Sequence, residues 1–526
     1  MIVENQDEAI EFLHATARAR TGAAAEIIST HISTVALFGD TALKLKRAVR
    51  LPYVDFSTAE RRAAACRVEL DLNRRTAPAL YRAVRDIRRG ADGRLAFADE
   101  GPLVDSVVEM RRFDQRDLFD AMAREGRLTA AHVEALAAHV AAFHAREAAV
   151  AEGGGAAGLA AAMAINAQGL RAATLFDRAA VERLIADFEA ALARHRDLLE
   201  ARRRGGRVRR CHGDLTLRNI CLFEGAPLAF DCLDFDPALA TTDVLYDLAF
   251  PLMDLWRDGA HDLANLAFNA YLDRADEIDG LALTPLFMAT RAAVRAHVAA
   301  TLAMESAAPE QTPAGRDARD YFDLAASLLR PARPRLVAIG GFSGSGKSTL
   351  ARALAAHVGG APGARRVASD RLRKAMFGVE ATQRLPESAY AGEVSARVYD
   401  QLEAQAARAL AAGGSVIADA VFDRAERRAA IEAAARAAGV DFVGLWLEAP
   451  AATLQARVAA RQHDPSDATA AVVADQLARG AGDIGWTRIA AGGDQAASFA
   501  AASAALGFGP PSARSALSTT ATSIAS

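Results

Sequence analysis

The sequence predicts two domains of different class: an α+β domain over residues 1–330, then an α/β domain with a parallel sheet over 336–494. Three observations predict this. An acid- and asparagine-bearing loop at 211–220 sits among short strand-like runs, and a glycine-rich motif at 341–348 sits between an apolar run and a helical pattern. Between them, Arg330-Pro-Ala-Arg-Pro-Arg335 places two prolines and three arginines ahead of a strand, as an interdomain linker does. Composition agrees. A chain of 526 residues has the length of two to four domains, and 52% hydrophobic residues exclude global disorder. A net charge of −3 gives no reason to expect nonspecific nucleic-acid or membrane binding. Cys66, Cys211, Cys221 and Cys232 lack the close paired spacing of a zinc site and are too few for a disulfide scaffold. No apolar run reaches the roughly 18 residues of a membrane span, and the acidic N-terminus does not read as a signal peptide. The expectation is a soluble, reducing, cytoplasmic protein.

Along the chain, β-like runs are expected at Thr34–Phe38, Ala42–Leu45, Ser106–Met110, Val208–Arg210, Leu228–Phe230, Leu336–Ile339, Ser415–Ile417 and Phe442–Leu447. Val133, Leu136, Val140 and Phe143 repeat at helical spacing, and 60–73 is a helical stretch. Residues 151–159 read as a Gly/Ala-rich loop, and 495–526, almost without charge, as a disordered tail.

In the first domain, Cys211-His-Gly-Asp214-Leu-Thr-Leu-Arg-Asn219 follows a strand-like run, and Asp231 ends the run Leu228-Ala-Phe230 twelve residues past Asn219. Such a loop presents Asp214 to an acceptor hydroxyl as base or orienting group, while Asn219 and Asp231 converge on Mg²⁺. This resembles the H-G-D-x-x-x-x-N loop of aminoglycoside phosphotransferases and choline kinases, and the placement of Asp243 and Asp247 beyond it is similar too. The resemblance implies a protein-kinase-like fold and an upstream strand lysine. Lys44 is favoured, with Lys46, on the same strand face, in reserve. It implies a helical glutamate, Glu69, paired with that lysine, and an interlobe hinge at Val107-Val-Glu109-Met110 whose backbone binds adenine. Asp234 and Asp236 each compete for the second metal position. No G-x-G-x-x-G loop is found; Phe38-Gly39-Asp40 stands in its place. The basic run from Arg202 to Arg210 is read as a solvated loop, the cysteines as strand fillers, and His212 as structural.

In the second domain, Gly341-Phe342-Ser343-Gly344-Ser345-Gly346-Lys347-Ser348 fits G-x-x-x-x-G-K-[ST], with Thr349 opening the helical pattern behind it. Glycines let backbone N–H groups turn inward around phosphate, and the helix N-terminus adds partial positive charge. Lys347 reaches the β/γ-phosphates and Ser348 the Mg²⁺. Asp370, with Arg373 beside it, suits an acceptor hydroxyl; Asp419 ends an apolar strand and suits a Mg²⁺-water or substrate. Arg457 and Arg461, four apart, precede the polar segment 462–467 and read as a lid that closes arginines over the phosphoryl group. Residues 336–490 resemble small P-loop kinases related to gluconate, shikimate and adenylylsulfate kinases, and more distantly to polynucleotide kinases. No guanine-specifying N-K-x-D motif is present.

The whole chain therefore resembles bacterial proteins in which an aminoglycoside-phosphotransferase-like half precedes a P-loop kinase half. The resemblance implies two ATP·Mg²⁺ sites acting on small hydroxylated metabolites; composition argues against a nucleic-acid partner and gives no membrane partner. Two alternatives are a nucleic-acid 5′-hydroxyl kinase and a nucleotide-sensing protein in which one half controls the other.

Overall fold

A computed structural model describes residues 3–51, 54–461 and 466–508. The chain divides into two compact units: residues up to Leu263 with Leu286–Ser327, and Ala264–Pro285 with the residues from Leu328 onward. Residues 264–285, expected in the first domain, group instead with the second unit. Asn265 donates to the carbonyls of Pro362 and Ala364, and the Asn269 amide oxygen accepts from the Arg366 N–H at 2.8 Å. Asp273 pairs with Arg365 at 2.6 Å. These polar side chains dock the inserted helix onto an edge strand, which no local pattern announces.

The first unit opens with an antiparallel sheet. Its spatial order is Glu26–Ser29, Ser33–Phe38, Thr41–Lys46, Leu103–Arg111, Tyr81–Arg89, Leu95–Phe97. Alternation along Thr41–Lys46 decides what each face does. Leu43 and Leu45 pack with Leu13 and Ala17 of the helix Asp7–Thr21. Ala42 shares the other face with Lys44 and Lys46, over the helix Ala59–Asn73. Thr58 caps that helix, its side chain accepting from the Arg61 N–H.

The rest of the unit is helical around two short ribbons. Val208–Arg210 pairs with Thr241–Asp243, and Ile220–Phe223 pairs with Ala226–Ala229. The helices Ala130–Arg146, Val244–Arg257 and Thr284–Ala303 supply the buried supports of the loop between these ribbons. An antiparallel sheet with one long helix, followed by a helical lobe carrying a loop and hairpin, is the α+β protein-kinase-like fold. Residues 151–159, expected as a loop, are partly helical: Gly155–Ala172 is a helix in which Leu159 and Met163 are buried.

The second unit holds a five-stranded, wholly parallel sheet in the order Arg365–Ala368, Val416–Asp419, Arg335–Gly340, Asp441–Glu448, Thr487–Ala490. A parallel sheet is covered on both faces, and Leu336 to Ile339 are accordingly fully buried. The central strand is followed by the glycine-rich turn and the helix Lys347–Ala355. The expected tail also needs correction. Gln495–Ala505 is a helix capped by Asp494, and Phe499, Ala502 and Leu506 join the core over the sheet. Alanine and serine carry no charge, but they favour a helix once an apolar stripe has a surface to cover. Residues 509–526 of the expected tail lie outside the described residues. Among the described residues, no helix is long and apolar enough to cross a membrane.

Candidate active sites

In the first unit, Lys44 and Lys46 both converge on Glu69. Lys44 Nζ lies 2.8 Å from Glu69 Oε1 and Lys46 Nζ lies 2.6 Å from Oε2. The sequence pointed to one lysine with the other in reserve; the structure uses both. Lys44 also donates to Asp231, whereas Lys46, 2% exposed, pairs with Asp234 at 2.8 Å. Burial works against both ammonium groups, but the surrounding carboxylates more than compensate and raise their pKa values. Burial likewise opposes ionisation of Glu69; the two lysines overcome this and hold its carboxyl low. Asp234 is thus tied to Lys46, and Asp236 caps a short helix through the N–H groups of Ala238 and Leu239.

Asp231 has a positive φ of 58°, uncommon for a residue with a side chain, and its N–H donates to the Tyr81 hydroxyl at 3.2 Å. The strained conformation aims the carboxylate toward Lys44. Asn219 donates to Asp214 Oδ2 at 2.8 Å and to the Asp214 carbonyl at 2.9 Å. Its own carbonyl accepts from the Phe230 N–H, which brings Asn219 beside the hairpin end that carries Asp231. Gly213, at φ 83°, lets the loop pass Leu233; a Cβ there would stand 2.8 Å from the Leu233 Cβ.

The loop is clamped from below. Asp247 accepts from the backbone N–H groups of His212 and Gly213 at 3.2 and 2.8 Å, and contacts His144 at 3.1 Å. Burial pushes the Asp247 pKa up, but His144, His212 and Arg291 outweigh it and hold the value at about 2. Asp254 accepts from the Leu217 N–H at 3.0 Å. His212 contacts the Phe230 carbonyl at 3.1 Å, a structural placement. Cys211 joins His144 and Asp247 in a buried cluster, but the Asp247 oxygens already serve the loop. Burial pushes the thiols of Cys66, Cys221 and Cys232 up to about 12, so they are inert fillers.

Burial raises the Asp214 pKa, opposed by Arg295, His212 and Arg291. Both arginines lie on Thr284–Ala303, about 80 residues beyond the loop motif, and sequence reasoning missed them. Arg291 donates to the Gly213 carbonyl at 3.2 Å and stacks over Tyr246 at 3.8 Å. A long helix offers no local signal that one of its arginines faces a distant loop.

Two expectations for this unit are corrected. Glu109 and Met110 are not a hinge. They lie inside Leu103–Arg111, paired with Leu43 and Ala42 on one side and with Ala83 and Tyr81 on the other. Their backbone groups belong to the sheet ladder, and the chain leaves it only after Arg111. The basic run is not a solvated loop either. Arg202, fully buried, grips Asp243 at 2.7 and 2.8 Å, Arg203 pairs with Glu200, Arg209 donates to the His144 carbonyl and Arg210 to the Leu233 carbonyl. Arg202, Arg209 and Arg210 thus hold the strand Val208–Arg210 in place, while Arg204 is exposed as expected.

In the second unit, Gly341 to Ser348 wrap the end of the central strand. Gly344 has φ 87°, and a Cβ there would lie 2.4 Å from the Leu454 carbonyl oxygen, so only glycine fits. Phe342 stacks edge-on against Trp446, and the Ser343 N–H donates to Gln476 at 2.8 Å. The buried Ser345 hydroxyl is without a partner among the described residues, while Ser348 and Thr349 are exposed at the helix start. Lys347 donates to the Phe342 carbonyl at 3.2 Å. Burial lowers its pKa, opposed chiefly by Asp419 and Asp370. Those acids flank the lysine, and burial raises both of their pKa values. Asp419 is hydrogen-bonded to Ser348, and Asp370 to Ser466.

Arg373 donates to the Ala389 carbonyl at 2.6 Å and lies 4.7 Å over Tyr390. Lys374, Tyr390 and the Leu385 N–H all converge on Asp467, which fixes one end of the expected lid; residues 462–465 lie outside the described residues. Arg457 and Arg461 do not act as a pair. The helix Ala451–Ala459 ends before Arg461, so four-residue spacing no longer puts both on one face. Arg461 lies within electrostatic reach of Lys347 and Asp370. Arg457 instead donates to the carbonyls of Ala491 and Gly493.

Residues 336–481 match the model of the AAA domain family. Uncharacterised proteins of Mycobacterium tuberculosis and Mycobacterium bovis are each 29% identical over 463 residues, covering 86% of this chain and 90% of theirs. Among solved structures, a choline/ethanolamine kinase family protein from Mesorhizobium loti is 13% identical, covering 62% of this chain and 95% of its own, with a TM-score of 0.40. The Mycobacterium tuberculosis APS kinase in complex with AMPPNP and APS is 20% identical, covering 33% of this chain and 96% of its own, with a TM-score of 0.22.

Proposed function

We propose that the chain is an ATP-dependent phosphotransferase with two separate sites, each moving the γ-phosphoryl group onto a hydroxyl of a small metabolite. One observation carries the reading: each unit gathers a raised-pKa aspartate and a lysine suited to phosphate into one cluster, Asp214 within electrostatic reach of the Asp231 that pairs with Lys44, and Asp370 and Asp419 within reach of Lys347. In the first unit, Lys44, oriented by Glu69, would hold the nucleotide phosphates. Asp214 would accept or orient the acceptor proton, its raised pKa bringing it nearer the range useful in a general base. In the second, Lys347 and the amides of 343–349 would hold the nucleotide. Asp370 would take the acceptor and Arg461 would balance charge that develops during transfer.

The donor sets fit magnesium: Asn219 with Asp231, and Ser348 with Asp419, offer only hard oxygen ligands. Bound there, Mg²⁺ would neutralise phosphate charge. The buried Ser345 hydroxyl, without a partner among the described residues, suits a phosphate at the turn. Arg202, Arg209 and Arg210 are engaged inside the unit, which breaks up the basic run as a strip for a nucleic-acid backbone and favours small acceptors.

Equilibrium binding of a non-hydrolysable ATP analogue with Mg²⁺ tests the reading. Two equivalents should bind the intact chain, and one each to Lys44→Met and Lys347→Met. A single equivalent in the intact chain would remove the two-site proposal.

A further inference from the structure

A cavity of about 400 Å³ lies in the first unit, where the end of the helix Ala59–Asn73 meets the helix Ala130–Arg146 and the strand Ala226–Ala229. None of the residues proposed for the nucleotide or its acceptor lines it. Its walls carry Arg74, Arg75, Arg146 and His139, with Thr76 and Leu228, and no acidic side chain among the described residues. The arginines are held in place by carbonyls. Arg74 donates to those of Tyr81 and Arg82, Arg75 to those of Leu72 and Arg210, and Arg146 to that of Arg75. Among the described residues, Arg75 alone of the three has a carboxylate partner, Glu147 at 2.8 Å. Arg74 and Arg146 are exposed; a guanidinium has five N–H donors, and most of theirs have no protein partner among the described residues and stay open to solvent or a ligand.

His139 adds a second, independent feature. Its ring bonds to the Thr76 backbone, and its Nε2 is buried without a partner. A buried polar atom left unpaired is costly, and it marks a place where a ligand atom completes the structure. Planar guanidinium forks match the oxygens of a phosphate, and a protonated phosphate oxygen can donate to a neutral imidazole nitrogen. The volume leaves room for further atoms beyond the phosphate, within the range of small-molecule sites.

We propose that this cavity binds a phosphate monoester, with Arg74 and Arg146 gripping the phosphate oxygens and His139 Nε2 completing the cradle. The site is wired to the reaction loop. Arg75, on its wall, donates to the Arg210 carbonyl at 3.0 Å, one residue before Cys211-His212-Gly213-Asp214.

The test is the imidazole ¹H–¹⁵N spectrum of the full chain, with the His139 signals identified by their loss in His139→Gln. Inorganic phosphate and glycerol phosphate are titrated at constant ionic strength. The His139 signals are expected to shift saturably, equally in the wild type and in Lys347→Ala, which silences the P-loop. Half-saturation is expected about tenfold or more higher in Arg146→Ala, intermediate in Arg146→Lys, and lower for glycerol phosphate than for inorganic phosphate. No saturable shift, a shift that chloride reproduces, or one unchanged in Arg146→Ala overturns the site. Equal half-saturation for both probes overturns the monoester assignment in favour of free phosphate.

Discussion

Lys44 and Lys347 are offered to the same kind of ligand, yet they are held in opposite ways. Lys44 sits between Glu69 and Asp231, and a second lysine, Lys46, shares the same glutamate. Among the described residues Lys347 donates only to a carbonyl, burial disfavours ionisation of its neighbours Asp370 and Asp419, and its own charge is disfavoured. The first site is electrostatically complete as it stands. In the second, burial disfavours the charge on the lysine and on both acids, and a nucleotide phosphate would supply the close anionic partner. The same chemical task can therefore be prepared by saturation or by deficit, and the two differ in what a mutation does to stability.

The largest expected effect breaks the saturated cluster. Lys46→Met leaves Glu69, 1% exposed, and Asp234 with one partner fewer, and should cost about 3–5 kcal/mol in denaturant unfolding of the first unit. Lys347→Met is the counterpart. It should cut nucleotide affinity at the P-loop by roughly 100-fold or more, as loss of a charge-assisted contact does, while the thermal midpoint stays level or rises. If both substitutions destabilise equally, the contrast fails.

A third variant sharpens the account of the loop. Asp247→Asn retains one acceptor oxygen for two backbone N–H groups and should cost about 1–3 kcal/mol. It should slow transfer at the first site only, measured with Lys347→Ala as background. The smallest effect is a gain. The Asp419 pKa is raised, so ionisation is disfavoured in the fold and the stability this group contributes is lost as pH rises from its ordinary 3.8 through the raised value. Asp419→Asn should then raise the thermal midpoint by about 1–3 °C at pH 7 and by nothing at pH 3.5. Asp247 has the opposite sign. Its stabilisation is complete above its ordinary 3.8 and fades as pH falls toward about 2.

Much of both sites was legible because their motifs are local. Gly341 to Ser348, Asp214 and Asp231 each come after a strand-like run, Asp419 ends one, and Asn219 lies in the same loop as Asp214. Even the pairing of a strand lysine with Glu69 could be anticipated. What was not legible comes from afar. Arg291, Arg295 and His144 reach the loop from helices whose own periodicity reports only their cores. Asn265 and Asn269 join the second unit through side-chain hydrogen bonds that leave no pattern in the chain. Glu109 and Met110 misled because an apolar strand end reads alike whether it borders a hinge or continues in a sheet. Arg457 misled because helical spacing predicts a shared face only while the helix lasts.

The central claim is two independent transferring sites, and the most direct test is phosphoryl transfer from γ-labelled ATP with Mg²⁺ to fractionated pools of small metabolites. The intact chain is run beside Asp214→Ala and Lys347→Ala. The account predicts at least two labelled products, one lost only in Asp214→Ala and another only in Lys347→Ala. A single product lost in both variants, or labelling that survives both, would contradict it.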